Sequence, residues 1–253
     1  MDGTGNPWFY GDVGIRGDRI VTVRPSGALR SASAARRVDA TGLVVAPGFI
    51  DIQAHSWDAL LWRDGRVVSK VTQGVTTEIL GEATTPAPSN DKVDSLMVPG
   101  EGWPPERGAL QASFRGDRGF AAWLRAMEKH GNSVNVGSYL GATTVRTFVM
   151  GQKPGPANAG QLDAMRKVVR NAMEDGAFGI SSALIYPPGS YAGTAELVEM
   201  AKAMAPYQGK YITHIRSEDD SLFEAMDEAF RIGREGGVGV DIYHLKASNR
   251  RNW

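Results

Sequence analysis

The sequence contains no cysteine, which excludes disulfides, thiolate metal ligands and a cysteine nucleophile together, while fitting either redox compartment. An excess of charge of either sign is missing too. Lys and Arg number 28 and so do Asp and Glu, so no global field gathers a polyanion or an anionic membrane surface, and nucleic acid is not an expected partner. No apolar run approaches the ~18 residues of a membrane span, and the start MDGTGNPWF has neither the basic residues nor the apolar stretch of a secretory signal. The chain as given is expected to work without a membrane, with the cytoplasm the favoured location. What is present is an apolar content of 42% with 31 glycines, the balance of a turn-rich globular protein able to bury a core.

From Asp12 to about Val45, short β-rich runs (DVGIR, RIVTVRP, GLVVAPG) are broken by Gly and Pro and show no helical period. They predict a small β subdomain over residues 1–47. From Gly48 the pattern turns to strands alternating with helices, the mark of βα units on a parallel sheet, over residues 48–253. Six strands are expected: Phe49 to Gln53, Val75 to Leu80, Val134 to Leu140, Phe178 to Ser181, Lys210 to Thr213 and Val238 to Tyr243. Between them, Phe120, Trp123, Leu124 and Met127 recur at helical spacing, as do Leu162, Met165, Val169 and Ala172, and Leu197, Met200, Ala201 and Met204. A fourth helix over residues 220–233 carries Leu222, Phe223, Met226 and Phe230. These stripes are assigned to the core and not to a cofactor. The stretch Glu82 to Arg118 is rich in Pro, Gly, Ser and Thr and is too long for an ordinary connection, so it is expected to be a functional loop or lid.

Of only four histidines, three stand at the ends of β-type runs: FIDIQAH ends at His55, KYITH at His214 and VGVDIYH at His244. In a parallel barrel the C-terminal strand ends open onto one face, so residues distant in sequence converge there. Imidazole is a favoured neutral ligand for zinc and similar metals. Any one of the three alone reads more readily as a hydrogen-bonded, partly buried histidine; their shared placement points to a metal site. His130, before Gly131 at a helix end, suits exposed carbonyls and is read as structural.

Glu82, just past VTTEIL and Gly81, is a candidate fourth ligand, bridging carboxylate or proton carrier, or else a solvated loop glutamate. Asp51 either orients a ligand or is a satisfied buried acid. Lys246, two residues beyond His244, either pairs with a substrate carboxylate or is a surface lysine. Ser181, Ser182 and Tyr186, in GISSALIYPPGSY, are candidate hydrogen-bond donors to substrate, although turn chemistry at the prolines accounts for much of that stretch.

With these positions laid out, the sequence resembles the N-acyl-D-amino-acid deacylase (D-aminoacylase) branch of the amidohydrolase superfamily along essentially its whole length. The resemblance rests on DGTGNPWF followed by DVGIRGDRI, on VDATGLVVAPGFIDIQAH, QGVTTEILGE and GAFGISSALIYPPGSYA, and on THIRSED followed by YHLKASNRRNW. It implies an α/β fold, a metal-dependent (β/α) TIM-type barrel preceded by a small β-sandwich segment, hydrolysing the amide of N-acyl-D-amino acids or related small acylated amines with one or two zinc ions. It also implies that His55 is the second histidine of an HxH motif, that His214 and His244 are ligands on strands five and six, and that Lys246 lies near the substrate carboxylate. The first HxH position is Gln53, whose amide oxygen is a weaker zinc ligand than imidazole, and a metal-bridging Cys of the family aligns with Ala83, beside Glu82.

The family is generally longer, with an essential Asp on strand eight that falls beyond Trp253 and a sandwich strand before Asp2. The chain is therefore expected to be truncated, its barrel incomplete at six strands, with open edges that invite pairing into a homo-oligomer. Two other readings follow: a non-catalytic fragment or pseudoenzyme scaffold, motivated by the missing Asp, and a cyclic amidase of the dihydroorotase or hydantoinase type, disfavoured because GISSA lacks the lysine usual there.

Overall fold

The structure, a computed structural model, describes residues 1–97 and 105–253. It divides into two compact units, Met1–Phe49 and Ile50–Trp253. In the first, β1 (Gly11–Arg16) and β2 (Arg19–Pro25) form an antiparallel hairpin turning at Gly17, whose positive φ of 61° suits a residue without a Cβ. The Asp12 carboxylate accepts the Leu29 amide at 2.9 Å and ties the following loop to the hairpin. The expected strand in GLVVAPG is not there. Leu43, Val44 and Val45 are exposed and outside any ladder, because an apolar run without a neighbouring strand has no partner for its backbone groups.

The second unit alternates strands with helices: β3 (Phe49–Asp51), α1 (Trp57–Leu61), α2 (Val68–Val71), β4 (Val75–Leu80), α3 (Asp91–Leu96), α4 (Pro105–Ala112), α5 (Gly119–His130), β5 (Asn135–Ser138), β6 (Leu140–Gly141), α6 (Ala142–Met150), α7 (Ala159–Glu174), β7 (Gly179–Ala183), α8 (Thr194–Met204), β8 (Lys210–His214), α9 (Leu222–Gly236) and β9 (Gly239–Ile242). Strand order is β3-β4-β5 in one sheet and β6-β7-β8-β9 in the next, and the β4–β5 pair and every pair of the second sheet are parallel. The expected third strand is thus split in two at Tyr139. This is an α/β fold of parallel strands and helices that is not a closed barrel among the described residues.

The main core lies between strands and helices. Phe120, Trp123 and Met127 of α5, Met165, Val169 and Ala172 of α7, and Leu197, Met200, Ala201 and Met204 of α8 are buried in it, as their spacing requires. The α9 stripe is different from expectation. Its buried face is Leu222, Ala225, Ala229 and Ile232, which recur at i, i+3, i+7 and i+10, whereas Phe223 and Phe230 lie off that face and are exposed. The stretch expected to be one long loop contains α3 and α4, and α3 is capped by Asn90 Oδ1, which accepts from the Lys92 and Val93 amides. Residues 98–104 of that stretch lie outside the described residues. Among the described residues, no helix is long and apolar enough to cross a membrane.

Candidate metal centre

The turn after β4 sets the first side chain. Gly81 has a φ of 103°, and a Cβ on it would stand 2.2 Å from the Tyr139 carbonyl oxygen, so only glycine lets the chain pass that close to the next strand. Ala83 follows in the left-handed region at φ 58°; its amide donates to Ser181 Oγ (3.1 Å) and its carbonyl accepts the Thr143 amide (3.0 Å). Locked between these contacts, the turn projects Glu82 over the strand ends, its side chain only 9% exposed.

Two residues beyond β3 reach one carboxylate oxygen. Gln53 Nε2 donates to Glu82 Oε2 at 2.7 Å, and His55 Nε2 lies 2.9 Å from the same atom. The other oxygen faces the second sheet, with His214 Nδ1 at 3.3 Å from Oε1 and His244 Nε2 at 3.8 Å. His214 closes β8 and is buried; its ring meets that of His244 edge to face, centroids 4.5 Å apart. His244 follows β9 at φ 33°, a left-handed conformation that costs a non-glycine residue strain and recurs at functional sites.

Glu82, His214 and His244 each present a ligand atom within 4.8 Å of the others. Two imidazoles and a carboxylate, without thiolate, form a donor set that suits zinc. The fit is therefore chemical and geometric, and His55 and Gln53 stand across the carboxylate as further donors. Together with Ala83, Ala183 and Tyr186 these residues line a cavity of about 350 Å³, large enough for a small ligand.

Burial pushes the Glu82 carboxyl up, but hydrogen bonds from His55 and Gln53 and the charge of His55 outweigh it and hold it down at about 2. The same contact, through its hydrogen bond to Glu82 and against the opposing effect of burial, raises His55 above its ordinary value. Asp51 is the acid beneath this pair. Burial raises it, but Lys70, with which it is ion-paired, and the Gln53 amide together lower it. Asp51 thus holds the backbone of Gln53 and is a satisfied acid.

Of the expected substrate-contacting residues, Tyr186 lines the cavity, its ring 5.4 Å from that of His214. Lys246 sits behind the cavity, Nζ 2.6 Å from Glu218 Oε1 and 3.0 Å from His244 Nδ1. Ser182 is a correction. It is 1% exposed and hydrogen-bonded to the Tyr211 and Thr213 hydroxyls (2.6 and 2.8 Å), away from the cavity. Successive residues of a strand point to opposite faces, and Ser181 takes the face toward the site. His130 ends α5 ahead of Gly131 at φ 84° and is not among the residues that line the cavity. The residue that the sequence did not single out is Glu218, which touches both His244 and Lys246; its signal was a carboxylate four positions after His214 in THIRSED.

Comparison with known proteins gives this arrangement its lineage. The model of the amidohydrolase family matches residues 36–249. The chain is 37% identical to a D-aminoacylase of Alcaligenes xylosoxydans xylosoxydans over the whole of this chain and 50% of that protein. A crystal structure of D-aminoacylase, described as defining a novel subset of amidohydrolases, superposes with a TM-score of 0.82 at 36% identity, covering 99% of this chain and 50% of that one. An N-acyl-D-glutamate deacylase of Bordetella bronchiseptica, solved with zinc and a phosphonate mimic of the tetrahedral intermediate, superposes at 0.78 with 30% identity, covering 94% and 48%. The chain spans about half the length of the curated relatives it matches. A family match over most of the sequence, on a fold that brings two imidazoles and a carboxylate together at adjoining strand ends, shows that the chain belongs to the amidohydrolase family.

Proposed function

We infer that this chain forms the metal-binding part of a zinc-dependent hydrolase that cleaves the amide bond of N-acyl-D-amino acids. The observation that carries the reading is the convergence of Glu82, His214 and His244. The relatives named D-aminoacylase, N-acyl-D-aspartate deacylase and N-acyl-D-glutamate deacylase support the substrate class. Glu82 Oε1, His214 and His244 would hold the ion, with His55 and Gln53 steadying the carboxylate from its other oxygen. Bound there, zinc supplies a water acidified toward pH ~7 and a Lewis acid for the amide carbonyl. Tyr186 and Ala183 give the cavity an apolar wall against which an acyl group packs. Lys246 provides the cation for the substrate carboxylate once it turns from Glu218.

One observation favours a second reading, a non-catalytic binding scaffold. Both oxygens of Glu82 are engaged and Glu218 is held by Lys246 and His244, so no free carboxylate stands at the cavity to carry a proton to the leaving amine among the described residues. Incubation of the zinc-loaded chain with N-acetyl-D-amino acids, following release of free amine, separates the two. The hydrolase reading expects turnover that a chelator abolishes and zinc restores; zinc binding without turnover of any member of a panel of D-substrates would favour the scaffold.

A further inference from the structure

We propose that Glu218 is a positioning residue shared by the two imidazole ligands: one carboxylate backs both rings and selects the form of His244 that can bind a metal. The inference rests on the metal-binding reading above. His214 Nδ1 and His244 Nε2 face Glu82, so the opposite nitrogens, His214 Nε2 and His244 Nδ1, face away from the cavity. Both meet Glu218. Its Oε1 is 3.0 Å from His244 Nδ1, and its Oε2 is 3.9 Å from His214 Nε2, a buried nitrogen with no hydrogen-bond partner.

A neutral imidazole carries one proton. If His244 Nε2 offers its lone pair to a metal, the proton is on Nδ1 and needs an acceptor there. Glu218 Oε1, in ion-pair contact with Nδ1 at 3.0 Å, is the acceptor within reach of it. The Lys246 ammonium also stands at Nδ1, hydrogen-bonded at 3.0 Å; it has donors and no lone pair, and it therefore favours the opposite tautomer, with the proton on Nε2 and the ligating position blocked. Glu218 and Lys246 thus pull the ring in opposite directions. Glu218 also draws the ammonium to itself at 2.6 Å.

Glu218 is fixed for this work by its backbone. Its carbonyl accepts the Ser248 amide at 2.8 Å, and the neighbouring Asp219 and Asp220 are clasped by Asn252, Asn249 and Arg251. The loop after β8 is therefore stitched to the segment after β9 that carries His244 and Lys246. With its side chain 10% exposed, Glu218 is shielded from water that would otherwise take its place.

Carboxylates behind metal-bound histidines fix ring orientation and basicity, and losing one costs roughly 10- to 100-fold in metal affinity. The test is zinc affinity of the 253-residue chain, measured by competition with a chromophoric chelator, with circular dichroism and thermal unfolding to establish that each variant is folded. Glu218→Ala is expected to weaken zinc by that factor, and Glu218→Gln, which keeps an acceptor oxygen, by less. Glu218→Ala with Lys246→Met is expected to regain part of the affinity, because the group that selects the wrong tautomer is gone; a purely packing role for Glu218 gives no such recovery. If Glu218→Ala does not fold, the Glu218→Gln and Glu218→Gln/Lys246→Met pair makes the same comparison. Wild-type affinity in a folded Glu218 variant, or a loss that Lys246→Met leaves unaltered, overturns the proposal. Wild-type zinc affinity in His214→Ala would instead overturn the metal-binding reading itself.

Discussion

Glu82 concentrates the chemistry of the centre because four polar side chains, Gln53, His55, His214 and His244, are arranged about its one carboxylate. In the metal-free chain its depressed carboxyl stabilises the fold above the ordinary value of 4.5 and loses that contribution as pH falls toward about 2. The raised imidazole of His55 acts in the other direction: its share is complete below 6.5 and is lost as pH rises through its folded value. The stability difference between wild type and Glu82→Gln, from urea unfolding in the presence of a chelator, is therefore expected to be widest between pH 4.5 and 6.5. A difference that does not vary with pH would contradict the assignment. Gly81→Ala is expected to cost about 2 kcal/mol or more, because strain in the left-handed region adds to a collision with the Tyr139 carbonyl; an unchanged denaturation midpoint would contradict it. The three strand-end histidines, Gln53 and Glu82 were legible in the sequence because each is tied to a strand end by a short, regular run. Ser182 was not, since choosing between adjacent serines needs the face of the strand. Glu218 was hidden because its role depends on a loop folding back onto residues 244–248.

The helices were readable where one apolar stripe serves one neighbour, as in α7 and α8. They were misread in part of α9, where Leu222 is buried and Met226 packs on the core as expected, but Ala225, Ala229, Gly233 and Gly236 complete the buried face and two phenylalanines do not. Bulk is a poor guide when a helix packs closely: a Cβ on Gly236 would come within 2.5 Å of Ala201 Cβ, so α8 and α9 touch through their smallest residues. Phe223→Ser should consequently change stability by less than about 0.5 kcal/mol, whereas Ala229, at 2% exposure, has no room for a larger side chain. Between α6 and α8 the decisive contact is ionic. Arg146 is fully buried, its Nη1 2.5 Å from Glu196 Oε2 and its Nη2 donating to the Lys153 and Gly155 carbonyls. Arg146→Met leaves the glutamate buried and unpaired and is expected to cost ~3–5 kcal/mol in urea unfolding; a loss below 1 kcal/mol would show that water or another cation replaces the guanidinium.

In the Ile50–Trp253 unit, β3 is an edge strand of the first sheet and β9 of the second, and Ile50 within β3 and Ile52 just after it are more than half exposed. An exposed apolar strand edge invites association. Ile52→Lys is expected to reduce concentration-dependent light scattering of the purified chain, and scattering that is unaltered would place the sticky surface elsewhere. The metal centre joins the two sheets, since Gln53, His55 and Glu82 come from one and His214 and His244 from the other. A ligand that bridges them stabilises the unit by mass action, about 2.7 kcal/mol at a hundredfold excess over its dissociation constant. The metal centre is open to direct test by the X-ray absorption fine structure of zinc bound to the purified chain. The expected spectrum has a first shell of nitrogen and oxygen at about 2.0–2.1 Å with the outer scattering of two imidazoles, and loses one imidazole in His214→Ala. A shell of oxygen alone, unchanged in that variant, would contradict it.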